Sequence, residues 1–473
     1  MLASDRRLPA IAVGIVVIVF LVVSAPMLND RFGDSHDGRN GARWGLASRA
    51  LRTDGVLASR GGAIQAHDNG TYANHPPLII FETAAAETVA GEHEWSTRAP
   101  SWLGSIAAIA LLAALLLALG CSPIATAVGT LVAGGSAMFM IYGSMLDTPV
   151  ISLPIGLALL LAMQHARRGT QVPWWLFAGL AAACVLAGWQ SALLAGIVAA
   201  LDLRTFARAR VPTAVQTGFV IGLVLLAGWM IWAHGFTSSL LEQLGQRSGI
   251  TTRATAEPVS FPDLFSSQAE YLGDLFGVGV VLLLPAFVAA AAMRSLRPIG
   301  PILVAVTLAY PLILWEGAAR HSYWNYWWIA PLAIGVAALC DRALALAENR
   351  RVAAGGIALL LLVVVVPNVV QSVRLDREDE AGHVIAGAHL RQRQAVGIAG
   401  PGITTPATWV SYYSGLPLAD FRTGPRLDEL VSEQPDALVI VGCGAPSLPT
   451  EAAEACGSER FQLFRADRLV DRS

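Results

Sequence analysis

The stretch "GDSHDGRNGARWGLASRALRTDG" fills residues 33–55 and decides how the chain is read. It begins a few residues after "IAVGIVVIVFLVV" (11–23), an uncharged apolar run. Charge this dense beside a first membrane span predicts a polar segment held against the membrane surface. Ala42, Leu46, Ala50 and Leu51 recur at helical spacing, and Gly55 can end a helix. We therefore expect an amphipathic helix on the outer surface, with Arg43, Arg49 and Arg52 in reach of lipid headgroups. A solvated surface helix is the plainer reading. Asp34 and Asp37 stand just before that helix, where a carboxylate can also serve only as a cap or a solvated charge.

The rest of the chain fits a membrane setting. Of 473 residues, 55% are hydrophobic and 14% charged, against about 25% charged in a soluble domain. Apolar runs near 9–27, 101–119, 123–142, 149–165, 173–189, 190–203, 213–232, 275–293, 298–314, 325–340 and 352–370 predict a polytopic α-helical membrane protein. That is about eleven spans at about 20 residues per span. With the N-terminus inside, Arg167, Arg168, Arg204, Arg208, Arg210, Arg294, Arg297, Arg342, Arg350 and Arg351 fall in cytoplasmic loops. This bias holds throughout only if 173–203 turns back near Gly188–Gln190 instead of forming one long helix. Arg6 and Arg7 before the apolar run also resemble a signal peptide, and "VVSAP" offers a weak cleavage site; we expect an uncleaved anchor.

Three segments then face outside: a long first loop (28–100), a second long loop (233–274) and the tail (371–473). Residues 1–370 form the membrane domain. In the tail, "AVGIAG", "ALVIVG" and "RFQLFRAD" read as short strands, with helical stretches such as 379–393 between them. The tail is expected to be a small extracytoplasmic α/β domain. Of five cysteines, Cys121, Cys184 and Cys340 lie in or beside apolar runs, and Cys443 and Cys456 can pair if the tail is extracytoplasmic.

All 32 basic residues are arginine, which excludes a catalytic lysine. The net charge of −2 gives no reason to expect nucleic acid. No Gly-x-x-x-x-Gly-Lys-Ser/Thr motif is present, so ATP and soluble nucleotide sugars are not implied. No cofactor is expected. No His/Cys cluster has clear metal-ligand spacing, although His67 and Asp68 with His93 leave a divalent cation open.

Outside the opening stretch, "TYANHPPLIIFE" (71–82) sets His75 before two prolines that force an extended entry. Asp147 precedes Thr-Pro at a span end, as an N-cap or as a functional carboxylate facing a cavity. "GAARHSYWNYWWIAP" supplies Arg320, His321 and Tyr323 at an outer span end. Arg320 breaks the charge rule for short outer loops, so it needs a partner, and a lipid phosphate fits. An interfacial aromatic belt with an anchoring arginine is the alternative.

The order of acidic loop, surface helix, Tyr72-x-x-x-Pro-Pro-Leu, Arg98-x-Pro-Ser and Leu-Asp147-Thr-Pro resembles the GT-C membrane glycosyltransferases. The nearest group is the protein O-mannosyltransferases and lipid A aminoarabinose transferases (glycosyltransferase family 39-like). The resemblance covers residues 1–170 well and continues loosely to about 340. It implies inverting transfer of a sugar from a polyprenyl-phosphate carrier to a protein, lipid or cell-wall glycan acceptor. It further implies that the donor enters from the membrane lipids, on the outer side of a bacterial-type plasma membrane. By the same resemblance Asp37 is the general base, with Asp34 in reserve, and Asp147 orients the acceptor or that base. His75, Arg320, His321, Tyr323, Arg39 and Arg43 then hold the substrates. One departure stands out: the family's usual Asp-Glu pair falls on Asn40 and Gly41. A transporter or flippase, or an inactive lipid-binding relative, is the alternative. Transporters place ionisable groups near the bilayer midplane, whereas here the charges gather at one outer face.

Overall fold

A computed structural model describes residues 7–33, 35–65, 71–201, 210–234, 239–251, 259–379, 395–397, 411–413, 438–442 and 461–465. The first half comprises α1 (Arg7–Asn29), α2 (His36–Ala58), α3 (Leu78–Ala90), α4 (Glu94–Leu119), α5 (Pro123–Gly134), α6 (Ala137–Tyr142), α7 (Thr148–Arg167), α8 (Trp174–Ala187) and α9 (Trp189–Ala200). The second comprises α10 (Arg210–His234), α11 (Ser239–Arg247), α12 (Phe261–Phe276), α13 (Val280–Ala292), α14 (Ile299–Ile313), α15 (Trp315–Arg320), a 3₁₀ turn (Ser322–Trp328), α16 (Ile329–Leu346) and α17 (Arg350–Asp379).

Seven helical segments among these are long and apolar enough to cross a membrane, and four shorter apolar helices accompany them. The chain is an integral membrane protein. On α1, Ala12, Val16, Phe20 and Val23 are buried while Ile11, Ile15, Ile18 and Val22 are exposed. One stripe meets the bundle and the other meets lipid. The central helices approach closely through small residues. A methyl group added to Gly335 of α16 would fall 1.9 Å from the Ala286 carbonyl oxygen of α13.

Two expectations change and one, the turn within 173–203, is met. The run 123–142 is two helices, because Ser136 caps a new one: its Oγ accepts from Phe139 N at 3.3 Å. The run 173–203 breaks at Gly188, the position where the arginine bias needs a turn. The described residues of the 233–274 segment are largely helical, holding α11 and most of α12.

The surface helix also differs. Ser35 caps α2, its Oγ accepting from Gly38 N at 3.0 Å, so the helix starts at His36 and Asp37 lies inside its first turn. Gly55 leaves helical geometry at φ 79° and interrupts the helix as expected. Arg49 and Arg52 do not turn toward headgroups. Arg49 pairs with Glu92, and Arg52 Nη2 lies 2.9 Å from Glu87 Oε2 and 2.8 Å from Glu92 Oε2. Ser48 and Thr97 donate to the two oxygens of Glu87, each at 2.5 Å. These bonds tie α2 to the α3–α4 hairpin.

In the tail, β1 (Ala395–Gly397) runs parallel to β2 (Leu438–Gly442), and β2 runs antiparallel to β3 (Phe461–Arg465). These are the three expected strand positions. The 379–393 helix lies almost wholly outside the described residues, as do Cys443 and Cys456.

Candidate active site

The first turn of α2 carries the first carboxylate. Asp37 Oδ2 accepts from Arg98 Nε at 3.0 Å and Nη2 at 2.6 Å. Arg98 comes from the start of α4 and is 1% exposed. Its Nη1 donates to the carbonyls of Asp30 at 2.6 Å and Leu28 at 3.3 Å. Both guanidinium bonds fall on one carboxylate oxygen. The other, Oδ1, is shielded from solvent and has no hydrogen-bond partner among the described residues.

One helical turn on, Asn40 Nδ2 donates to Asp147 Oδ2 at 2.7 Å, joining positions 107 residues apart. Asp147 caps α7 as expected: its Oδ1 accepts from Thr148 N at 2.5 Å and Oγ1 at 3.2 Å. The Tyr323 hydroxyl, from the 3₁₀ turn, stands beside Asp147 and Asn40. The turn is itself pinned from below. Gln190 Nε2 donates to Trp324 O at 2.7 Å, and Trp327 Nε1 donates to Pro149 O at 3.1 Å. Burial pushes the Asp147 carboxyl up to about 6 against the pull of its hydrogen bonds and of Arg43.

Cations surround these acids. Arg43 stacks over Tyr72, 4.5 Å from the ring centroid. Tyr72 and Trp44 flank His75 at 5.8 and 6.0 Å between ring centroids. Burial, then the charges of Arg43 and Arg247, hold the His75 pKa down at about 3, so its imidazole is neutral. Its Nδ1 is shielded and has no partner among the described residues. Across the site Arg247, at the end of α11, lies 3.7 Å from Glu316 and 3.0 Å from His321 Nε2. A guanidinium only donates, so His321 Nε2 accepts. His321 Nδ1–H therefore donates to His36 Nε2 at 3.2 Å.

No protein-family profile matches the chain, and no curated protein does. Solved structures do match. ArnT from Cupriavidus metallidurans in the apo state superposes with a TM-score of 0.59 at 13% identity, over 94% of each chain. ArnT bound to undecaprenyl phosphate gives 0.58 at 14% identity, over 95% of this chain and 94% of that one. The Archaeoglobus fulgidus oligosaccharyltransferase in the apo form gives 0.61 at 11% identity, over 96% of this chain and 72% of that one. The chain has a GT-C glycosyltransferase fold.

Within that GT-C fold the anticipated residues fall into three groups. Asp37, Asp147, Tyr323, Arg43, His75 and His321 lie in or beside the cluster just described. Arg320 finds its partner in the protein, its Nε lying 2.5 Å from Glu316 Oε1 one helical turn back, so a lipid phosphate is not needed to balance it. Arg39 Nε reaches back to its own helix cap, the Ser35 carbonyl, at 3.4 Å. Asp34 lies outside the described residues, as do His67 and Asp68. Among the described residues no three His, Cys, Asp or Glu side chains converge as a metal site would need.

Arg98, Asn40, Arg247 and His36 are the functional candidates that sequence reasoning passed over. Arg98 was visible only as a motif letter, and Asn40 only as a departure. Arg247 ends α11, and no motif in the sequence around it points to the site.

Proposed function

We propose that the protein transfers a sugar from a polyprenyl-phosphate carrier to an acceptor hydroxyl or amide at the outer membrane face, with inversion. The observation that carries this reading is the Asn40–Asp147 bond, which joins the first loop to the turn before α7. Two neighbours of the same fold hold such lipids. ArnT was solved with undecaprenyl phosphate, and the archaeal oligosaccharyltransferase AglB with a dolichol-phosphate and an inhibitory peptide.

In this proposal the acceptor O–H or N–H points at Asp37 Oδ1, within about 3 Å. Arg98 occupies Oδ2, so the proton has one place to go. As the acceptor attacks the anomeric carbon, the bond to the carrier phosphate oxygen breaks and the phosphate leaves with the electron pair. Arg247 and the neutral His75 hold its charge through N–H donors. Asp147 acts through Asn40, fixing the start of α2 against the turn before α7. An acid at position 40 would set two carboxylates together at the 2.7 Å now spanned by an amide bond. The amide fits the Asp147 partnership better than the family's usual acid does. The N-terminus then lies in the cytoplasm, residues 1–370 carry the reaction, and the 371–473 domain stands on the acceptor side.

Two results are expected. Binding of sugar-free polyprenyl phosphate to the detergent-purified protein, followed by native mass spectrometry, weakens at least about tenfold in Arg247→Ala, the loss of a charge-assisted bond. A wild-type protein that prefers neutral polyprenol to polyprenyl phosphate would overturn the cradle. Separately, transfer falls as pH drops through about 6, because protonated Asp147 loses acceptor capacity toward Asn40. The pH–rate profile checks this: the acid limb lies near 6 and vanishes in Asp147→Asn, whereas a limb unchanged by that substitution contradicts the assignment.

A further inference from the structure

Helix α2 presents Gly38, Gly41 and Gly45 along one face, spaced three and four residues apart. Each meets a group that leaves no room for a side chain. A Cβ at Gly38 would lie 2.3 Å from the Gly33 backbone nitrogen, one at Gly41 2.2 Å from the Phe32 ring, and one at Gly45 2.6 Å from the Tyr412 ring. The first two occupants belong to the first loop. The third comes from the tail, which follows the last span.

Tyr412 and Tyr413 are 2% and 6% exposed. Tyr413 Oη accepts from Phe32 N at 2.8 Å and donates to Glu94 Oε1 at 2.8 Å. Arg49 Nη2 donates to the Tyr412 carbonyl at 2.8 Å, and its guanidinium stacks over the Tyr412 ring at 4.8 Å. Phe32 lies between the two ends of this contact. Its ring meets Tyr412 edge-on at 4.9 Å and lies 4.7 Å from the Arg98 guanidinium. Arg98 in turn holds Asp37. One chain of contacts runs from tail to carboxylate through Phe32 and Arg98.

From this geometry we infer that the tail's tyrosine pair seats in the glycine face of α2 as a positioning element, setting the Asp37–Arg98 pair through Phe32. The tail is then a working part of the site. Its kinetic consequence rests on the proposed transfer reaction; the docking itself does not.

The test uses the full chain in lipid nanodiscs as wild type, Tyr412→Ala, Tyr412→Phe, Tyr413→Phe, Gly45→Ala and the double variant Gly45→Ala/Tyr412→Ala. Hydrogen exchange over residues 28–38 reads docking without any reaction. It rises in Tyr413→Phe, Tyr412→Ala and Gly45→Ala, and stays near wild type in Tyr412→Phe, which keeps the ring. Alanine is the better helix former, so a loss in Gly45→Ala reports the displaced ring and not a weakened helix. Because both changes act on one contact, the double variant is no worse than the worse single variant. In label-transfer assays kcat falls about tenfold or more in the loosened variants, as misplacement of a reacting group predicts, while KM for the donor stays within about twofold and Tyr412→Phe restores kcat. Unchanged exchange in Tyr412→Ala and Tyr413→Phe overturns the docking. Raised exchange with unchanged kcat overturns the positioning role. If wild type transfers no label, the transfer reading and the positioning role fail together, while the exchange data still decide the docking.

Discussion

Asp37→Asn lowers sugar transfer by about 10²–10⁴-fold, the range general-base removal produces, and leaves the protein folded. The amide keeps one oxygen for Arg98, which holds Asp37 through a single carboxylate oxygen. What is lost is the basic Oδ1, the atom left without a partner among the described residues. The effect belongs in kcat, with KM for the lipid donor little changed, because Asp37 takes no part in holding the phosphate in this account. A variant that keeps more than about a tenth of wild-type kcat, well outside that range, would move the base elsewhere, with Asp34 next in line.

Arg98→Met has the largest expected effect on stability. The side chain is 1% exposed, and its charge meets Asp37 and two carbonyls. Breaking a buried ion pair from one side costs about 3–5 kcal/mol. The Asp37 side chain is 34% exposed and water can reach it, so a value near the lower end, about 3 kcal/mol, is expected. Thermal unfolding in detergent measures the loss, and transfer activity falls by about 10²-fold as Asp37 loses its orientation. An unfolding temperature equal to wild type would show that Arg98 does not anchor this end of α4.

Hydropathy made the helical membrane architecture legible, because a span must satisfy its backbone internally and bury or expose apolar groups over a fixed length. The glycine at 55 and the Asp-Thr-Pro at 147–149 were equally plain, since each acts on its own neighbours. The misplaced start of α2 had a local signal, Ser35, which was passed over in favour of the later apolar residues. The break at 134–136 had one too, in Gly-Gly-Ser. The pairings had none. Arg98 and Asp37 are 61 positions apart, and Asn40 and Asp147 are 107 apart. Only the folded hairpin of α3 and α4 brings the first pair together. Arg49 and Arg52 read as headgroup ligands because their partners, Glu87 and Glu92, lie beyond the next loop. Nothing near Tyr412 in the sequence points back to α2.

The most direct test of the account offers purified wild type and Asp37→Asn a panel of radiolabelled polyprenyl-phosphate sugars and follows label away from the carrier. The account predicts that wild type releases label from one donor to an acceptor, with inverted anomeric configuration, and that Asp37→Asn does not. Release at equal rates by the two proteins, or product of retained configuration, would contradict it.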